Sequence, residues 1–99
     1  MAPRLELHEI LTGITEHVYF QPPETVRLQY PCILYRRDYV RNDFADDIPY
    51  ASTKRYLLTV IDRDPDSSIP VQIGILPRCS YDRFYAADGL NHDVFKLFF

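Results

Sequence analysis

The clearest periodicity lies at the front of the chain. Leu7, Ile10, Leu11, Ile14 and Val18 recur at the three- and four-residue spacing of one helix face, and Glu6, Glu9, Thr12 and Glu16 fall on the other side. This spacing predicts a helix over about residues 4–16. Gly13 weakens its last turn by roughly 1 kcal/mol relative to alanine, and Tyr19, Phe20 and the Pro22-Pro23 pair do not continue it. Residues 18–21 suit a short strand, after which the two prolines open an extended connection. Pro31 introduces a second strand, Cys32 to Val40, with Ile33, Leu34 and Tyr35 at its apolar centre.

From Arg41 to Thr53 the alternation lapses, and Asn42, Asp43, Asp46, Asp47 and Pro49 all favour turns, which predicts a long loop. Lys54 to Arg63 is dense in apolar and β-branched residues at successive positions, the pattern of a central strand covered on both sides. Asp64-Pro65-Asp66-Ser67 then reads as a helix start, with Asp64 as N-cap, Pro65 at the first helical position and Asp66 near the positive end of the dipole. The helix it predicts runs from Pro65, is made irregular by Pro70 and ends before Pro77. Alternation returns from Arg78 to Tyr85 and from Asp93 to Phe99, with a turn at Asp88-Gly89, and predicts a terminal hairpin.

The order of elements gives an α+β fold: a mixed, mostly antiparallel sheet with an N-terminal helix and a second short helix packed on it. No repeat or flexible linker divides the chain, so residues 1–99 form a single domain. At this size folding buries only about 60–65% of the unfolded surface, which leaves a thin core and little room for an internal active site. A subunit of this kind gains from neighbours.

Charge narrows the partners. Eleven Lys and Arg against fourteen Asp and Glu give a net charge of -3, and neither sign gathers into a block, which argues against a protein that grips duplex DNA through its phosphates. The acidic balance fits a surface that DNA passes without sticking. No apolar run approaches the length needed to cross a bilayer, so the chain reads as soluble, made in the cytosol and without a membrane partner. Cys32 and Cys79 lack metal-ligand spacing and read as buried, reduced thiols.

Candidate chemistry is thin. Asp62, Asp64 and Asp66 alternate like the start of a calcium loop, but the loop glycine and the distant glutamate are missing and Pro65 interrupts the spacing. Capping and dipole pairing account for two of the three acids without a ligand. His8, His17 and His92 are scattered, with no HExxH spacing and no nucleophile elbow. A small metal-dependent hydrolase built on Asp62, Asp64 and His92 is the remote alternative. The expectation is no enzyme, no catalytic residues, no metal and no cofactor. More telling is the end of the sequence, where Phe95, Leu97, Phe98 and Phe99 leave apolar groups on both faces, which calls for a cover from the protein's own helices or from a neighbouring subunit.

A series of segments carries a resemblance: Arg55-Tyr56-Leu57-Leu58-Thr59-Val60-Ile61-Asp62-Arg63-Asp64-Pro65-Asp66-Ser67, Leu76-Pro77, Asp82-Arg83-Phe84-Tyr85 and Asp88-Gly89-Leu90-Asn91-His92-Asp93-Val94-Phe95, with Val18-Tyr19-Phe20-Gln21-Pro22-Pro23 before them. Together they resemble the small tail terminator, or tail completion, proteins of long-tailed phages, over most of the chain. The resemblance implies a mixed sheet flanked by helices, a homo-oligomeric ring of six at the junction of tail and head in the virion, and contacts with the tail tube protein and the head connector or stopper. In that role the ring ends tube polymerisation, and DNA passes through it only as cargo. Other head–tail joining parts, a stopper, an adaptor or a minor tail protein, are the alternative within the same class.

A closed ring needs two different faces on each subunit. The sequence offers the acidic loop with Asp43, Asp46 and Asp47, the charged turn with Asp62, Arg63 and Asp66, the hairpin residues Arg83 and Asp93, and the terminal Phe98 and Phe99 as candidate interface residues. Asp62, Arg63, Arg83 and Asp93 are also candidates for ion pairs within or between subunits.

Overall fold

The computed structural model describes the backbone of residues 3–45 and 48–99, and the side chains of residues 4–39 and 54–99. Helix α1 (Pro3–Thr12) is followed by strands β1 (Val18–Phe20), β2 (Cys32–Ala45) and β3 (Ile48–Asp62), helix α2 (Ile69–Gly74) and strands β4 (Cys79–Ala87) and β5 (Leu90–Phe98). The strands form one sheet in the order β1-β2-β3-β5-β4. β1 lies parallel to β2 and the other neighbours are antiparallel. The α+β class with a mostly antiparallel mixed sheet is therefore as the sequence predicts.

Both helices cover the same side of the sheet. Leu7 and Leu11 of α1 and Ile69 and Ile73 of α2 join Ile33, Tyr35, Tyr56, Leu58, Val60, Phe95 and Leu97 in one buried cluster. The strand residues alternate as a pleated sheet requires: Ile33 faces Val60 and Tyr35 faces Leu58 across β2 and β3, and Leu58 faces Phe95 across β3 and β5. β3 is the central strand, as its composition predicts. Its two sides are unequal, since Tyr56, Leu58 and Val60 are fully buried under the helices, whereas on the reverse Ile61 is buried and Leu57 and Thr59 are half-covered.

α1 ends four residues earlier than its apolar spacing suggests. The N–H groups of Ile14 and Thr15 both donate to the Leu11 carbonyl, and the Thr12 hydroxyl donates to the Glu9 carbonyl, so the last turn tightens and closes just past Thr12. Ile10, which the spacing places on the core side, is 41% exposed.

The second helix starts at Ile69, not at Pro65. The Asp62 and Asp64 carboxylates accept the N–H groups of Asp64 and Asp66, each two residues on, and so close successive turns in place of capping a helix. Ser68 occupies the N-cap without a side-chain cap bond, and Ser67 Oγ accepts the Ile69 N–H. Pro70 falls in the first turn, where a missing donor costs nothing.

Residues 41–45 and 48–53, predicted as loop, are strand. Local turn preference is outweighed here by cross-strand pairing that runs on from the sheet, with irregularities between Arg37 and Tyr39 and between Asp43 and Phe44. β5 stops opposite Arg55, so from Val40–Lys54 to Ala45–Ile48 the strands β2 and β3 pair only with each other. They form a two-stranded ribbon beyond the sheet, and the molecule measures 51 × 26 × 23 Å. The terminal hairpin is as predicted but tighter, with Asp88 at φ 54° and Gly89 at φ 74° as its two turn residues.

Candidate subunit interface

The predicted interface residues do not converge on one site. Asp43 lies on the ribbon, its backbone opposite Ala51, and Asp46 and Asp47 lie outside the described residues. Asp62 and Asp66 belong to the turn described above, where Asn91 Nδ2 donates to the carbonyls of Asp62 and Arg63 and ties this turn to the hairpin. The Arg63 guanidinium lies 5.8 Å from the Tyr30 ring centroid.

Asp62, Arg63, Arg83 and Asp93 do not pair with one another among the described residues. Arg83 lies 3.3 Å from Asp82, which also faces Lys96 at 3.9 Å, and Asp93 accepts a hydrogen bond from the Tyr81 hydroxyl at 2.9 Å. Phe98 and Phe99 are half-buried and line a recess of about 200 Å³ with Leu7, Ile10, Leu76 and Leu97, and the Phe99 N–H donates to the Lys54 carbonyl.

Both cysteine thiols are shifted upward. Cys32 is fully buried, and burial followed by the Asp62 carboxylate pushes its thiol up to about 11. Burial also raises Cys79, which is only partly covered, so the expectation of two buried thiols holds for Cys32 alone. A nucleophilic cysteine needs the opposite shift. His8 Nδ1 sits 2.8 Å from the Tyr35 hydroxyl, His17 lies beside Glu16, and His92 stacks on Tyr85 with ring centroids 4.5 Å apart. Each histidine is placed by a neighbour of its own. Among the described residues no three His, Cys, Asp or Glu side chains gather as a metal site.

What sequence reasoning missed is the reverse side of the sheet. A cleft of about 490 Å³ opens there, with Leu34, Leu57 and Thr59 on its floor and Gln21, Pro22, Arg36 and Arg37 around them. The register explains the mixture: Arg36, Leu57 and Lys96 form one row across β2, β3 and β5 in which cationic and apolar residues alternate, beside the uncharged row Leu34, Thr59 and Val94. The connection after β1 edges this side, because the Tyr19 hydroxyl accepts the Gln29 N–H and Gln21 Oε1 accepts the Arg37 N–H. The apolar residues on both sides of β3 were the available signal, and they read as full cover because nothing local says which side the helices choose.

The molecule thus presents a helical side, a half-covered sheet side and a projecting ribbon. These are the exposed surfaces of the α+β fold among the described residues. No protein-family model, curated protein or solved structure matches the chain.

Proposed function

We propose that this chain is a structural virion protein of a long-tailed phage, the tail terminator: a subunit of a sixfold ring that caps the tail tube, ends its polymerisation and joins it to the head connector. The observation that carries this reading is the ribbon from Val40–Lys54 to Ala45–Ile48. A two-stranded ribbon is at best marginally stable by itself in water, so its natural place is against another surface. The half-covered sheet side supports the same reading, as do the mixed sheet with helices and the segment resemblance from Arg55 to Ser67. A subunit with different exposed surfaces on opposite sides can join copies head to tail and close a ring.

Native mass spectrometry across a concentration series, with electron microscopy of the same samples, tests the proposal. A sixfold species with a central channel, which binds the ends of purified tail tubes, is the expected result. A strict monomer that also leaves tube ends uncapped overturns it.

A further inference from the structure

We draw no further inference here: the strongest candidate, the open edge of the sheet along β4 with its exposed Tyr81, Phe84 and Tyr85, carries nothing, because nothing in the structure shows what covers it.

Discussion

The Tyr35 hydroxyl sits between two residues of α1, accepting a hydrogen bond from the Arg4 guanidinium at 3.2 Å and sharing one with His8 Nδ1 at 2.8 Å. Its ring is 1% exposed and meets Phe20 and Tyr56, so one core side chain both fills the sheet-helix layer and fixes where the helix lies on it. Tyr35→Phe keeps the ring and strands both polar partners. We expect a loss of about 1–2 kcal/mol in chemical denaturation, and a coupling with His8→Ala in a double-mutant cycle of roughly 1 kcal/mol.

Arg55 holds the base of the ribbon. It bonds Asp38 at 2.8 Å through Nη2 and lies 5.1 Å from the Tyr39 ring centroid, at the last residue of β3 that β5 still pairs. Arg55→Ala should cost about 1–2 kcal/mol, because Asp38 is largely covered and loses its cation. In hydrogen exchange the amides of 40–45, 48 and 50–54 should lose protection first, with those of Leu58 and Phe95 slowed as before. Equal loss across the sheet would contradict the local role.

Cys32 makes stability depend on alkaline pH. Its folded thiol titrates at about 11 against an ordinary value of 9.0, so the unfolded chain releases the proton first. The stabilisation is complete below pH 9, falls between the two values and is gone above the folded one, on the order of 3 kcal/mol in total. Cys32→Ala should flatten this decline in urea melts between pH 8 and pH 11, after allowance for the small cavity it leaves.

Phe98 and Phe99 are half-buried, and Phe99 packs against the protein's own core cluster. Phe98→Ala with Phe99→Ala should lower the melting temperature of the monomer by several degrees, consistent with roughly 2–4 kcal/mol for two partly buried rings. Unchanged melting together with lost assembly would return these residues to the interface.

Much of the architecture was legible in the sequence where one local rule decides. The Leu7–Leu11 stripe, the dense run at Tyr56–Ile61 and the Asp88-Gly89 turn each meet a single geometric demand. The ribbon was not legible, because Asn42, Asp43 and Pro49 state local turn preferences, whereas pairing such as Arg41 with Thr53 depends on a partner strand already anchored in the sheet. Asp64 misled for a different reason: the same carboxylate that would cap a helix also closes a two-residue turn, and the choice belongs to where the apolar Ile69 and Ile73 reach the core. The cleft followed from the side on which α1 and α2 settle. That is a tertiary outcome, and Arg36 and Arg37 carry no mark of it alone.

The ribbon also sets where this protein can change length at least cost to its core. Its rungs beyond Arg55 form no ladder pairs with β5 or β1, so one residue added to each strand beyond Lys54 lengthens it by roughly 3.3 Å and inverts the faces at its tip, while two per strand restore them. Reach and facing are thereby separable from the fold. Relatives that meet a wider or narrower neighbour could match it by such paired insertions or deletions, with the helix-covered layer left as it is.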